Sequence, residues 1–206
     1  MTPLLRWKFT LTFLLTMLLA NAATGTLSGS LPLSALADWG ISHQSILEGD
    51  LLRLVTGTFL SHDIAMFARQ LAFAAIVIGY YEWRVGTWRA AAMFFAIDIT
   101  GSLIVLFAVL PLAASLLLPQ AGPSVFQDLD VGMSAGGFGL IGATVYLQPR
   151  KGALLGLLLI GIAAKIWLDF EIIADSAHLL CLLMGFFAQM AQTPRDQPTA
   201  RTTPQM

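Results

Sequence analysis

The sequence predicts an all-α membrane protein, a six-transmembrane-helix bundle, on three observations. Hydrophobic residues make up 57% of the 206 positions and charged residues 11%, where a soluble domain carries about 25% charge. Six apolar segments reach or approach the roughly 17–25 residues of a bilayer crossing: residues 9–23, 54–81, 90–118, 131–147, 153–168 and 172–192. The charges also sort by loop. If the segments alternate, Arg6, Lys8, Arg84, Arg89, Arg150, Lys151, Arg195 and Arg201 share one side, and Asp38, Glu48, Asp50, Asp128, Asp130, Asp169 and Glu171 the other.

The first segment has two readings. Arg6 and Lys8 precede a short apolar run ending in Ala20-Asn21-Ala22, the pattern of a signal peptide with a small-residue cleavage site. A retained helix is preferred, because six spans return the C-terminus to the starting side and fit the charges. The second and third segments are long enough to tilt or to extend beyond the lipid; the fourth and fifth are short. Lys and Arg are held on the cytoplasmic side, so both termini are expected there, in a bacterial-type inner membrane. Residues 1–192 then form one membrane domain, and residues 193–206 a polar, proline-containing cytoplasmic tail expected to be disordered. The net charge of −1 gives no reason to expect nucleic acid, and the single cysteine, Cys181, rules out an internal disulfide. There is no zinc-ligand spacing, phosphate-cradling loop or internal repeat, and no metal or organic cofactor is implied.

This topology has a geometric consequence. The fourth and sixth segments both run from outside to inside. Ser134 and His178 each lie within about 10 Å of their helix's outer end at 1.5 Å rise per residue, so their side chains can share one depth. Peptide hydrolysis needs a nucleophile, a base in hydrogen-bond reach and donors for the oxyanion. Ser134 supplies a hydroxyl; His178 supplies an imidazole, which takes a proton near neutral pH. The first turn of a helix adds free backbone N–H groups and a positive dipole end. Gly132, Gly136, Gly137, Gly139 and Gly142 let another helix approach closely. Each feature has a plainer reading. Serines in apolar helices commonly bond back to the backbone, and glycine-rich helices commonly only pack. A membrane histidine is costly, and leans towards function.

At these residues the chain resembles the rhomboid intramembrane serine proteases. Gly132-Met133-Ser134-Ala135, with Phe138 four residues after the serine, is similar to their G-x-S-G opening of the fourth helix. The nine residues from Ala177-His178 to Gly185 are similar to A-H-x-x-G-x-x-x-G in the sixth. Leu52-Arg53-Leu54-Val55-Thr56 resembles W-R-x-x-T, Glu82-Trp83-Arg84-Val85-Gly86-Thr87 resembles E-x-R-x-G-S, and Gly101-Ser102 matches a small pair in the third helix. The resemblance runs from about Asp50 to Gly185. It implies a six-helix rhomboid-like bundle in which Ser134 is the nucleophile, His178 the base of a dyad without an acid, and Phe138 a platform stacked on the imidazole. It implies a transmembrane protein as substrate, cleaved near the periplasmic face, and the lipid bilayer as the other partner.

The chain also departs from the pattern. An ungapped alignment puts Ser61 and Met66 where the family has histidines, and Gln70 on the asparagine that donates to the oxyanion, one methylene longer. His62 is the candidate substitute for the first histidine. Gln70, Gly132 and Met133 are therefore the expected supporting groups. Cys181 replaces a glycine, which is expected to widen the contact with the fourth helix; Ala135 for glycine is milder. Asp175 invites a triad, but a helix cap or solvated loop end is favoured. Arg69, Asp98 and Lys165 lie within spans, where an unpaired charge is expensive. Asp98 is expected to pair with Arg69 or Lys165, unless those two snorkel. Ala163-Ala164-Lys165, with acids before the final histidine, resembles the rhombosortases, a branch that trims C-terminal Gly-Gly sorting signals. Two rival functions remain: that trimming activity, and a catalytically inactive rhomboid-like protein that binds transmembrane helices. His43 is expected to be a surface residue.

Overall fold

The structure is a computed structural model describing residues 6–116 and 125–193. Helix α1 (Lys8–Ala23) is followed by a loop region carrying three short helices, α2 (Leu33–Trp39), α3 (His43–Leu47) and α4 (Arg53–Thr56). Then come α5 (Ile64–Val85), α6 (Thr87–Leu116), α7 (Ser134–Tyr146), α8 (Lys151–Leu168) and α9 (Ile172–Gln192). The protein is all-α among the described residues, with two isolated bridges, Ser30 to Asp63 and Ile41 to Asp130, as its only extended pairing.

Helices α5, α6, α8 and α9 are long and apolar enough to cross a membrane. α1 and α7, with 16 and 13 residues, rise only about 24 and 20 Å, less than the roughly 30 Å hydrocarbon core. Several expected boundaries move. The segment expected over residues 54–81 breaks into α4, a 3-10 turn at Gly57–Phe59, and α5. Its long helix starts only at Ile64, because Asp63 caps it, accepting the Met66 amide at 2.7 Å. The fourth segment starts at Ser134 rather than residue 131, because Gly132 has φ +136°, which no helical residue adopts. α6 contains a π turn at Val105–Val109 just before Pro111, where the wider turn accommodates a residue without an amide. Residues 117 and 118 of that segment, and the tail 194–206 with Arg195 and Arg201, lie outside the described residues.

α7 is the centre. It packs against α5, α6 and α9, and its glycines make that possible. A Cβ on Gly137 would overlap Phe73 of α5. One on Gly136 would come within 2.7 Å of Phe94, and one on Gly139 within 2.6 Å of Ile97, both on α6. One on Gly142 would overlap the Leu182 carbonyl of α9, and one on Gly185 of α9 would overlap the Gly139 carbonyl. The core joins Phe13 and Met17 of α1, Ile78 and Tyr81 of α5, Phe94 and Ile97 of α6, Leu140 of α7 and Cys181 of α9. α8 buries no residue and sits outside this core.

Two helix starts are completed by carboxylates from elsewhere. Neither Trp7 nor Met133 can cap the helix it precedes. Glu82, 1% exposed, accepts the Phe9 amide at 2.9 Å, the Thr10 amide at 2.8 Å, and the hydroxyls of Thr10 and Thr87 at 2.7 and 2.6 Å. It satisfies the orphan donors of α1 and holds α1 against the α5–α6 turn. The start of α1 therefore lies at the same end as Arg84 and Arg89. Gln148 donates to the Tyr80 hydroxyl, which brings Arg150 and Lys151 to that end too. His62, Asp130, Glu171 and Asp175 gather at the other, where Lys165 reaches both Glu171 and Asp175.

His62, the candidate substitute for a second-helix histidine, lies 3.6 Å from Asp130. The Asp130 carboxylate outweighs partial burial and raises the His62 pKa above 6.5. The sign follows: the folded state favours protonated His62, so this contribution is full below pH 6.5 and is lost as pH rises through the raised value. Both groups are over one-third exposed, so the effect is small. Thermal melts of wild type and His62→Gln are expected to differ at pH 5.5 and to converge by about pH 8.5; parallel curves across that range would refute the assignment.

Candidate functional site

Ser134 is the first residue of α7, placed there by the left-handed turn at Gly132. Phe138 lies one turn below on the same face, since residues i and i+4 are neighbours along a helix. The His178 ring of α9 stacks on Phe138, with centroids 4.1 Å apart and planes 17° from parallel. The imidazole is therefore held against the face of α7 that carries Ser134. Its Nε2 is buried and has no hydrogen-bond partner among the described residues. The Ser134–His178 hydrogen bond is accordingly not closed in this structure. Two side chains expected to meet are brought to one helix pair, with the ring fixed and its nitrogen unused.

Small side chains set this separation. The overlaps a Cβ would make at Gly142 and Gly185 show α7 and α9 in backbone contact. Cys181 does not widen it, contrary to expectation. Its sulfur points to α6, where it occupies the space over Gly101 and lies 3.9 Å from the Ile97 carbonyl.

The side of Ser134 where the resemblance places an oxyanion site is built from three elements. Gln70 of α5 is buried, and its Oε1 accepts the Ser61 hydroxyl at 2.7 Å. That bond turns the amide nitrogen towards the chain before Ser134: a Cβ on Gly132 would lie 2.5 Å from Gln70 Nε2. Ser61 is fixed in turn, its amide donating to Asn21 Oδ1 of α1 at 3.0 Å, while Asn21 Nδ2 donates to the carbonyls of Met17 and Phe59, each at 2.8 Å. Met133, fully buried, anchors the turn between Gly132 and Ser134. Ser61 and Asn21 were not singled out from the sequence for this role; the one signal was a lone asparagine in an apolar segment.

Asp98 corrects a second expectation. It pairs with neither Arg69, which is exposed, nor Lys165. Buried in α6, it accepts the Thr58 hydroxyl and the Gly136 amide, both at 2.8 Å, and so caps α7 just beneath Ser134. Lys165 instead bridges Glu171 and Asp175, at 3.0 and 2.9 Å. Asp175 is 1% exposed and accepts the Glu171 amide at 2.8 Å. It acts as a helix cap, as favoured, but a buried rather than a solvated one, and it bonds to the lysine rather than to His178. His43 is also not a plain surface residue: it packs between Phe107 and Phe126, with centroids 4.8 and 5.0 Å away.

A cavity of about 50 Å³ adjoins Ser134, lined among others by Thr58, Asp98, Ser102, Asp130 and Ala177. Its walls combine hydroxyls and carboxylates with the residue preceding His178, a polar setting that admits water beside a serine. No group of His, Cys, Asp and Glu suited to hold a metal occurs among the described residues. No protein-family model matches the chain, and no curated protein matches it significantly.

Proposed function

We propose that this chain is an intramembrane serine protease of the rhomboid type, with six spans and both termini in the cytoplasm of a bacterial-type cell. One observation carries the reading: an imidazole stacked on Phe138, one turn from a helix-opening serine, with its Nε2 buried and uncommitted. Closing the dyad then requires the Ser134 hydroxyl to reach that nitrogen. The Ser134 hydroxyl attacks the substrate carbonyl carbon and its proton passes to His178 Nε2. The oxyanion meets Gln70 Nε2 and the Ser134 and Ala135 amides, none of which donates to another group among the described residues; the next two amides of α7 are held by Asp98 and by the Met133 carbonyl. Collapse expels the amine, which takes the proton from His178, and water, deprotonated by the same imidazole, hydrolyses the acyl-serine.

The substrate is a membrane protein whose helix or C-terminal anchor unwinds near the periplasmic face. The joining of Lys165 to Glu171 and Asp175 favours the narrower rhombosortase reading, cleavage after a Gly-Gly signal. The open Ser134–His178 bond favours the rival reading, an inactive protein that binds transmembrane helices. A fluorophosphonate probe separates enzyme from binder: labelling of the folded chain, abolished by Ser134→Ala, supports hydrolysis, and unlabelled folded protein supports the binder. Reporters with and without a Gly-Gly C-terminal signal then fix the branch.

The oxyanion assignment has its own test. Gln70→Leu is expected to lower kcat about 100- to 1,000-fold, while Ser61→Ala, which only frees the amide to rotate, lowers it about tenfold with little change in KM. Equal rates for wild type and Gln70→Leu would remove Gln70 from the mechanism.

A further inference from the structure

At the basic end of the molecule, α6 and α9 flank a groove with two compartments. The first, about 410 Å³, is an apolar slot open to the side, walled by Ala92, Ala96 and Thr100 of α6 and by Met184 and Ala188 of α9. The second, about 220 Å³, is polar and is formed by Tyr81, Arg89, Gln189 and Gln192. Arg89 and Gln192 line both, so the compartments are continuous.

We infer that this groove binds an anionic glycerophospholipid, its phosphate on Arg89 and one acyl chain in the slot between α6 and α9. Three features point to an amphiphile. The Arg89 guanidinium is exposed, and no carboxylate pairs with it among the described residues; it faces a pocket carrying amide groups, and a guanidinium binds phosphate through paired hydrogen bonds. The slot runs from Arg89 to Thr100, a rise of about 16 Å, which matches one leaflet of a roughly 30 Å hydrocarbon core. Trp88, 85% exposed, and Trp83, 51% exposed, sit at the same end, where interfacial aromatics mark the headgroup level. Arg84, Arg150 and Lys151 add positive charge nearby, favouring an anionic over a zwitterionic lipid. The pocket floor is fixed, because the Tyr81 hydroxyl donates to Gln189 Oε1 at 2.6 Å. The inference rests on the membrane character of the chain and not on the protease reading, so either can fail alone.

The test is native mass spectrometry of the purified full chain in detergent, titrated with phosphatidylglycerol or phosphatidylcholine. Wild type is expected to hold one phosphatidylglycerol about tenfold more tightly than phosphatidylcholine, the worth of one charge-assisted contact. Arg89→Ala loses that preference. Ala96→Phe, whose ring fills the slot from an exposed position, loses retention of both lipids. Unchanged melting temperatures confirm folding of each variant. Equal binding of the two lipids by wild type, an unchanged preference in Arg89→Ala, or lipid retained by Ala96→Phe overturns the inference. So does a lipid-free dimer that Ala96→Phe converts to a monomer, since the groove would then belong to a second copy of the chain.

Discussion

If the proposed chemistry holds, His178→Ala is expected to lower cleavage of a reporter transmembrane substrate about 10,000-fold or more, and Ser134→Ala to do the same. The double variant falls no further, because nucleophile and base act as a unit. Neither change is expected to unfold the protein. Among the described residues His178 Nε2 makes no hydrogen bond whose loss would cost stability, and Ser134 already opens a helix that Asp98 caps. Phe138→Ala, by contrast, leaves both reacting groups in place but removes the surface on which the ring rests. It should cost about 100-fold, mainly in kcat, through misplacement. Wild type and His178→Ala cutting at the same rate would end the mechanism. A parallel loss of folding and activity in His178→Ala would make the histidine structural instead.

The second large effect is on stability. Gly142→Ala and Gly185→Ala each place a Cβ on a backbone carbonyl of the facing helix. Backbone yields less than a side chain, so each costs about 3 kcal/mol or more. Gly161→Ala is the control. No atom outside its own helix lies within 4 Å of a Cβ there, and replacing a mid-helix glycine gains about 0.5–1 kcal/mol. Melting curves in one detergent compare the three. If Gly142→Ala melts with wild type, α7 and α9 are not in the contact described. Activity adds information, since α7 and α9 carry Ser134 and His178: a variant that still folds but holds the helices apart loses turnover out of proportion to its stability.

Much of this arrangement is legible in the sequence because glycine and hydropathy are local signals. The run from Gly132 to Gly142 announces a helix approached from several sides, and the span of α9 follows from hydropathy alone. The placing of Ser134 and His178 on two helices that pack together is in keeping with their expected shared depth. What the sequence does not carry is the partner of each buried polar group. Asp98 has two basic residues within reach of any reasonable topology, yet it serves the α7 amides, because Met133 leaves them uncapped and a carboxylate inside α6 is the nearest acceptor. Ser61, Gln70 and Asn21 form a chain across three elements that no spacing rule connects. The start of α5 is hidden for a similar reason: the run Leu54–Leu60 reads as a continuation of the apolar segment, and the Asp63 cap is what starts the helix at Ile64.

The clamp on Glu82 sets an order on assembly. The amides that open α1 leave the ribosome first, but the carboxylate that accepts them lies 72 and 73 residues further along. Until the hairpin of α5 and α6 is in place, those donors lack the acceptor they use in the folded chain. A segment made before its partner is therefore locked only after that partner is in place, and Glu82→Gln is expected to slow biogenesis at this latch while leaving the fold of the serine helix intact.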